Sequence, residues 1–195
     1  MDDNGVVTRP TSLEAIERDT AAIGFGMASE AKTGSLLRAL AASKPAGKIL
    51  ELGTGTGVGT AWLLAGMDAD SRLVSVDNDA RAQEIARRHL GADPRVTFRL
   101  TDGAEFLKTL PAHAFDLVFA DTWAGKFTHV DEALDRVRVG GFYLVDDLLP
   151  QVNWPDGHAA KVPPLIRELE TRSGFAAVKL AWATGLIVLV RTHTA

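Results

Sequence analysis

Short apolar runs alternate with longer amphipathic segments from Lys48 onward, and this alternation predicts strands separated by helices. The residues before Lys48 follow a helical pattern instead. A capping box at Thr11–Glu14 predicts a helix that ends near Ala22. Leucines at helical spacing over Leu36–Leu40 predict a second helix, which ends before Pro45.

The two kinds of segment can be assigned along the rest of the chain. The apolar runs predict strands at Ile49–Leu52, Leu73–Val76, Val96–Leu100, Phe115–Ala120, Phe142–Val145, Ala176–Leu180 and Leu186–Arg191. The segments between them predict helices at Gly59–Gly66, from Asn78 or Asp79 to Leu90, at Ala104–Leu110, at Val130–Val137, and from Pro163–Pro164 in a first turn to about Arg172.

Five strands separated by helices predict a parallel, doubly wound α/β sheet, because continuous apolar strands need burial on both faces. The last two strands are joined by a short connection containing Thr184–Gly185, which predicts a hairpin and an antiparallel C-terminal strand. We expect one domain over residues 1–195, with N-terminal helices in residues 1–45 and the sheet in residues 46–195.

Composition removes several classes of protein. The chain has 195 residues, of which 46% are hydrophobic and 24% charged, as in ordinary globular domains. Its apolar stretches, such as Gly185–Val190, are too short to span a bilayer, so we expect that it is not a membrane protein. The N-terminal sequence MDDNGVVTRP lacks the pattern of a secretion signal, and there is no cysteine. These features predict a cytoplasmic protein without disulfides.

The charge distribution gives no reason to expect a nucleic-acid partner. The formal net charge is −4 at pH 7. The densest basic cluster, at Arg81 and Arg87–His89, fits the solvated face of one helix. We therefore expect no nucleic-acid partner.

Glycines cluster where the first strand turns into the next helix, in the segment Ile49–Gly59. Their pattern from Glu51 to Gly57 is E-x-G-x-G-x-G. A dinucleotide fingerprint needs a third glycine where this chain has Val58 or Thr60, so that class of site is disfavoured. Glycine at such a turn lets a ligand approach the main chain closely.

Acidic residues follow the next two strands, at Asp77 and Asp102. The first can accept hydrogen bonds from both ribose hydroxyls of an adenosine cofactor, and the second can reach an adenine amino group. A simpler alternative exists for each feature, since the glycine turn could be a tight joint and Asp77 could cap the helix at Asp79. Their occurrence together at successive strand ends favours an adenosine-cofactor site.

The segment Ile49–Gly59, with Asp77 and Thr101–Gly103, resembles the S-adenosylmethionine site of class I methyltransferases. More narrowly, Phe115–Asp121 and Val139–Asp147 resemble the cation-dependent O-methyltransferases of the catechol and caffeoyl-CoA group. The resemblance implies a Rossmann-like, mostly parallel seven-stranded sheet with helices on both faces. It also implies methyl transfer from S-adenosylmethionine to an oxygen of a small-molecule acceptor.

The resemblance also assigns roles within the cofactor site. It implies that Glu51 and the glycine backbone hold the methionine end, that Asp77 binds the ribose and that Asp102 binds the adenine, while Asp121 lies near the sulfonium. The implied cofactor-binding residues are Glu51, Gly53, Thr54, Gly55, Gly57, Gly59, Asp77, Asn78, Thr101, Asp102, Gly103, Asp121 and Trp123, with Ser29–Glu30 contributing from the N-terminal side.

Asp121, Asp146 and Asp147 follow neighbouring strands and could supply oxygen ligands to Mg²⁺ or another divalent cation. Successive residues of a strand point to opposite faces, so Asp146 and Asp147 can share one ion only if the chain leaves the strand there. Asp121 and Asp146 are therefore the favoured ligands. Without a cation, three close carboxylates would need shifted pKa values or basic partners.

The sequence departs from the family at two positions near this site. The family has Asp-Asn where this chain has Asp146–Asp147, and it has a lysine where this chain has Ala124. Lys126, His129 and His158 are the nearest substitutes for that lysine, and each is equally explained as a solvated surface residue, an explanation favoured for the histidines. The catalytic candidates are Asp121, Lys126 and Asp146.

The long connection Leu148–His158 lies where this fold places acceptor-binding residues. Asn153, Trp154 and His158 fit a small planar acceptor, although Trp154 could instead pack on the body of the domain. Two other functions stay open: a nicotinamide-dependent oxidoreductase, and a non-catalytic module that binds S-adenosylmethionine. The resemblance also makes a homodimer through the N-terminal helices reasonable.

Overall fold

The computed structural model describes residues 8–193 of the chain. Its strands are β1 (Lys48–Leu52), β2 (Arg72–Asp77), β3 (Val96–Leu100), β4 (Phe115–Ala120), β5 (Val137–Val145), β6 (Phe175–Leu180) and β7 (Leu186–Arg191). Its helices are α1 (Leu13–Ala22), α2 (Ala31–Ala42), α3 (Val58–Gly66), α4 (Ala80–Leu90), α5 (Gly103–Lys108), α6 (Val130–Arg136) and α7 (His158–Glu170). Most of the segment used for the secretion-signal prediction, residues 1–7, lies outside the described residues.

The strands form one sheet in the order β3-β2-β1-β4-β5-β7-β6. Neighbours from β3 to β5 are parallel, whereas β7 pairs antiparallel with both β5 and β6. The predicted doubly wound sheet and its C-terminal hairpin are therefore confirmed. Within residues 8–193, no helix combines the length and apolar character needed to cross a membrane.

Helices cover both faces of the sheet and enclose two apolar cores. Because side chains alternate along a strand, Ile49 of β1 enters one core and Leu50 enters the other. Helices α1 to α4 pack on the first face, where Trp62 is fully buried. Helices α5 to α7 pack on the second face, where Tyr143 is fully buried. Burial on both faces explains the continuous apolar strands.

The helix starts agree only in part with the predicted caps. Asp79 caps α4, and its side chain accepts hydrogen bonds from the backbone N–H groups of Arg81 and Ala82. The capping box predicted for α1 is wrong, because the N-cap residue is Ser12 and its side chain makes no capping hydrogen bond. Counted from Ser12, Glu14 is one position too early to close a box.

Strand β5 begins well before its predicted start at Phe142, since Val137 already pairs with Phe115. The register then shifts so that Leu117 pairs with Phe142. The extra residues bulge out of the pairing, where Gly140 has a φ of 77°. The two glycines predicted as a turn before the strand therefore lie within it.

Helix α7 begins at His158, so the prediction that Pro163 and Pro164 lie in its first turn is wrong. Its N-cap is Gly157, which has a φ of 82° and ends the preceding loop. Both prolines lie inside the helix, where they cannot donate backbone hydrogen bonds. The early start carries His158 next to the end of β5.

Candidate cofactor and acceptor site

The predicted site residues meet at the edge of the sheet where the parallel strands end. Residues 53–57 follow β1, Asp77 is the last residue of β2, Asp121 follows β4 and Asp146 follows β5. The sheet order reverses between β1 and β4, and ligands of doubly wound sheets bind in the crevice at this switch point.

The glycine turn brings its backbone unusually close to neighbouring elements. Gly53, Gly55 and Gly57 have φ values of 101°, 51° and 93°, which favour glycine. A Cβ atom at Gly53 would lie 2.6 Å from the carbonyl oxygen of Asp121, and one at Gly57 would lie 2.7 Å from Cβ of Ala86. Side chains at these positions would therefore push β4 or α4 away from the turn.

Glu51 lies behind the turn and does not line the cavity that opens in front of it. Its carboxylate is fully buried and accepts hydrogen bonds from the hydroxyls of Ser75, at 2.6 Å, and Thr60. Its Oε1 has no hydrogen-bond partner among the described residues, and it lies 2.6 Å from where a Cβ of Gly59 would be. Burial raises the pKa of Glu51 to about 7.

Asp77 fixes the turn and faces the cavity. Its Oδ2 accepts a hydrogen bond from the backbone N–H of Gly55 at 2.7 Å, and its Oδ1 accepts one from the N–H of Asp79 at 2.8 Å. The alternative that Asp77 only caps α4 is excluded, because Asp79 fills that position.

Asp102 is exposed at the N-terminus of α5. Its Oδ1 accepts hydrogen bonds from two backbone N–H groups of the helix's first turn, at 2.8 and 3.1 Å. Both capping bonds use the same oxygen, so Oδ2 takes no part in the cap. Thr101 is tied to β2, since its N–H donates to the carbonyl oxygen of Asp77 at 2.9 Å. Asp102 and its neighbours Thr101 and Gly103 thus lie beside Asp77 but outside the cavity lining.

A cavity of about 370 Å³ opens in front of the turn. The sequence-predicted residues that line it are Gly53, Thr54, Gly55, Gly59, Asp77, Asn78, Asp121, Trp123, Lys126 and Asp147, whereas Glu51, Gly57, Thr101, Asp102, Gly103 and Asp146 do not. Phe25 and residues 27–29 line it from the N-terminal side, and Ser29 Oγ donates to Asp121 Oδ2 at 3.1 Å. The cavity therefore extends from the glycine turn to the predicted acceptor residues Asn153, Trp154 and His158.

An aromatic cluster lies on the side of the cavity where the sequence predicts the acceptor. The rings of Trp154 and His158 stack with centroids 4.4 Å apart, and Phe127 meets His158 edge-on at 4.8 Å. Trp154 lines the cavity, as an acceptor-binding residue would, and it also packs on this cluster. Both predicted alternatives for Trp154 are therefore met in part. Trp123 is exposed and contacts Phe127 edge-on at 5.8 Å.

The surface explanation of His158 is wrong, because its side chain is buried. Its Nε2 lies 3.0 Å from the carbonyl oxygen of Asp147, which can only accept, so Nε2 carries the proton. Burial lowers the pKa of His158. The other histidine candidate, His129, takes a φ of 55° as the N-cap residue of α6 and does not line the cavity.

Lys126 is also buried, with its side chain 3% exposed, and its Nζ lies 3.7 Å from Asp147 Oδ2. A turn places it there: the N–H of Lys126 donates to the carbonyl oxygen of Trp123 at 3.1 Å, and Gly125 has a φ of 84°. The hydroxyl of Tyr143 donates to the carbonyl oxygen of Gly125. The sequence alone left this lysine equally explained as a surface residue.

Asp121, Asp146 and Asp147 together line a second cavity of about 230 Å³ next to the first. The chain leaves β5 at this point, since Asp147 has a φ of 59°. Burial and the nearby charge of Asp146 raise the pKa of Asp121 well above its usual range. Burial likewise raises the pKa of Asp146 to about 6, although the hydrogen bond from Thr184 acts to lower it.

These three carboxylates do not form a ready metal site. Among residues 8–193, no group of three or more histidine, cysteine or acidic side chains is arranged to hold a metal ion. Each carboxylate already has a partner within the protein: Asp121 and Asp146 accept hydrogen bonds from Ser29 and Thr184, and Asp147 forms an ion pair with Lys126. The residues therefore do not fit the predicted divalent cation in this arrangement.

Some contacts of the site have no signal in the sequence. Phe25 covers the turn, with its ring 3.2 Å from where a Cβ of Gly55 would be. Asn153 Nδ2 donates to the carbonyl oxygen of Gly26 at 2.6 Å and joins the acceptor loop to the N-terminal segment. Thr184 reaches Asp146 from the β6–β7 connection. All of these contacts link distant segments, which no local pattern predicts.

Similar proteins agree with this architecture. A 38%-identical protein of Mycolicibacterium vanbaalenii, provisionally named an O-methyltransferase, aligns over 63% of this chain and 56% of its own length. Catechol O-methyltransferase of Mycobacterium tuberculosis is 29% identical over 76% of this chain and 70% of its own. This chain therefore spans little more than half the length of the first of these relatives.

A solved structure shows the same fold. The O-methyltransferase TomG of Streptomyces achromogenes, in complex with S-adenosylmethionine, superposes with a TM-score of 0.82 at 25% identity, over 96% of this chain and 92% of its own. The family described as a methyltransferase domain matches residues 50–148, just over half of the sequence. The chain belongs to this methyltransferase-domain family and has the fold of the class I methyltransferases.

Proposed function

We propose that this protein is an S-adenosylmethionine-dependent methyltransferase that methylates an oxygen of a small-molecule acceptor. The observation that carries the proposal is the 370 Å³ cavity, which joins the glycine turn and Asp77 to an acceptor side formed by Trp154 and Lys126. Pockets of this size and mixed lining suit small ligands. The similarity to TomG and to catechol O-methyltransferase supports the choice of cofactor and of oxygen as acceptor.

In this proposal the cofactor lies along the strand ends. The backbone of residues 53–57 holds the methionine end, Asp77 accepts hydrogen bonds from the ribose hydroxyls, and Asp102 offers Oδ2 to the adenine amino group. Glu51 supports the turn from behind Gly59 through its hydrogen bonds with Thr60 and Ser75 rather than by direct contact with the cofactor. The remaining proposed cofactor contacts are Asn78, Thr101, Gly103, Asp121 and Trp123.

The reaction is an in-line displacement at the methyl carbon. The acceptor oxygen forms a bond to this carbon while the bond from carbon to sulfur breaks, and the sulfonium becomes the neutral thioether of S-adenosylhomocysteine. The hydroxyl proton of the acceptor leaves to solvent at the cavity mouth. Since the sulfonium is already a good leaving group, the protein's task is to orient the acceptor and to stabilise its developing negative charge. Lys126 lies on the acceptor side and can supply this stabilisation.

The test is methyl transfer from labelled S-adenosylmethionine to a panel of small aromatic and aliphatic hydroxyl compounds. We expect a labelled O-methyl product and stoichiometric S-adenosylhomocysteine. Tight NAD(H) binding without a response to S-adenosylhomocysteine would refute the proposal in favour of an oxidoreductase. Cofactor binding with no transfer to any acceptor would leave only the non-catalytic module. The cytoplasmic location and the homodimer stay predictions from the sequence.

Replacing Trp154 by alanine is expected to raise the acceptor KM by about 10-fold, because the variant loses the apolar area that the ring buries and an aromatic contact worth about 0.5–1.5 kcal/mol beyond that area. The affinity for S-adenosylhomocysteine should stay within about threefold, measured by calorimetry. Val152→Ala in the same loop is the matched control, since Val152 projects fully into solvent. Equal effects of the two substitutions on KM would contradict a role of Trp154 in acceptor binding.

A further inference from the structure

Lys126 is a buried lysine next to three carboxylates, and that arrangement is uncommon. Lysine is almost never fully buried unless its charge is paired. Here the side chain is 3% exposed, and its ammonium lies 3.7 Å from Asp147 Oδ2. The turn that holds it is anchored by the hydroxyl of Tyr143, which donates to the carbonyl oxygen of Gly125. Tyr143, which belongs to the apolar core on the second face of the sheet, therefore fixes the turn that directs Lys126 towards Asp147.

The carboxylates need a positive charge at this position. Asp146 is 1% exposed, and together with Asp121 and Asp147 it lines one small cavity. Ionised carboxylates that line one cavity repel one another, and burial strengthens this repulsion. The positive charge of Lys126 acts to lower the pKa of both Asp121 and Asp146, so it acts on these two carboxyl groups as well as on its ion-pair partner Asp147.

We propose that the Lys126 ammonium is the resident cation of this site and takes the place of the divalent cation used by the cation-dependent O-methyltransferases that the sequence resembles. The lysine lines the main cavity as well, with Trp123 and His158, so the same charge faces the acceptor. Asp147, which would be a ligand of a divalent cation, is held by this ammonium instead, 3.7 Å from its Oδ2. The catalytic role of Lys126 rests on the proposed function, whereas its role as the cation among the carboxylates does not.

The position of the lysine along the chain agrees with this assignment. The family's lysine lies three residues after the first metal aspartate, where Ala124 stands here, and this chain instead carries its lysine beyond Gly125. The turn directs that lysine to Asp147, which stands where the family has asparagine. The added negative charge and the displaced positive charge thus meet each other.

The experiment measures thermal unfolding of the full chain, without cofactor, in EDTA and in millimolar MgCl₂ or MnCl₂. We expect the wild-type melting temperature to be the same in all three. Lys126→Met removes the cation, so this variant should melt at lower temperature and should regain part of the loss with Mg²⁺. Lys126→Arg is the matched control, because it retains the charge and should show no metal response.

Activity supplies a second, independent measurement. Methyl transfer by the wild-type protein should continue unchanged in EDTA. A wild-type melting temperature that rises by several degrees with Mg²⁺, or transfer that stops in EDTA, would overturn the assignment of Lys126. So would a Lys126→Met protein as stable as Lys126→Arg. If no acceptor is methylated, the proposed function fails, while the melting experiment still decides whether the lysine replaces the metal.

Discussion

Replacing Asp77 by alanine is expected to lower the affinity for S-adenosylhomocysteine by about 100-fold, because two hydrogen bonds from ribose hydroxyls to a charged group contribute about 3 kcal/mol together. A further loss follows from the turn itself. Asp77 Oδ2 accepts a hydrogen bond from the backbone N–H of Gly55 at 2.7 Å, so its removal also loosens the segment proposed to hold the methionine end. Isothermal titration calorimetry with the purified chain measures this affinity.

Two controls separate these effects. Asp77→Asn keeps an oxygen for the Gly55 N–H but removes the charge, so its affinity should lie between those of the wild type and of Asp77→Ala. Asp93 also accepts a backbone N–H, from Arg95 at 2.9 Å, but it precedes β3 at the opposite edge of the sheet. Asp93→Ala should leave the affinity unchanged. A loss of less than threefold in Asp77→Ala would remove Asp77 from the cofactor site.

The frame of the site could be predicted because its determinants are local. Apolar runs mark the strands, and the residue that follows each strand end must lie at the same edge of a parallel sheet. Asp77, Asp121 and Asp146 could therefore be placed together from the sequence. The glycine turn was predictable for the same reason, since Gly53 and Gly57 adopt φ values that other residues avoid.

The depth of individual side chains could not be predicted in this way. Glu51 lies behind Gly59 rather than in the cavity, because its hydroxyl partners Thr60 and Ser75 lie on that side. His158 is buried because α7 starts earlier than the prolines indicate and lays the ring against Phe127. Such outcomes depend on contacts between segments distant in sequence, which periodicity does not encode.

The acceptor side illustrates the same limit. Lys126 looked as much like a surface residue as like a catalytic one, and the structure buries it through a turn whose carbonyl accepts from Tyr143 on β5. The carboxylates could be placed near each other from the sequence, but their hydrogen bonds with Ser29 and Thr184 could not. The resemblance to metal-dependent relatives therefore predicts where the acidic residues lie, but not the protein groups that form hydrogen bonds and ion pairs with them.

Replacing Glu51 by glutamine is expected to change how stability depends on pH. Burial raises the pKa of Glu51 to about 7 from an ordinary value of 4.5. Between pH 4.5 and about pH 7, Glu51 holds a proton in the folded protein that it releases in the unfolded chain. The contribution of Glu51 to the free energy of unfolding therefore falls as pH rises. The total change is about 3 kcal/mol, nearly complete at pH 7.5.

Glutamine does not titrate, so the difference in unfolding free energy between Glu51→Gln and the wild type should grow in favour of the variant from pH 4.5 to 7.5. Urea denaturation at several pH values measures it.

Buried donors left unpaired by the new amide lower the variant's stability equally at every pH, and they shift this difference without changing its slope. The titration of Asp146 is common to both proteins and cancels. Glu84→Gln, at an exposed position of α4, should give a flat difference. A flat difference for Glu51→Gln as well would mean that its carboxylate stays solvated in the folded protein.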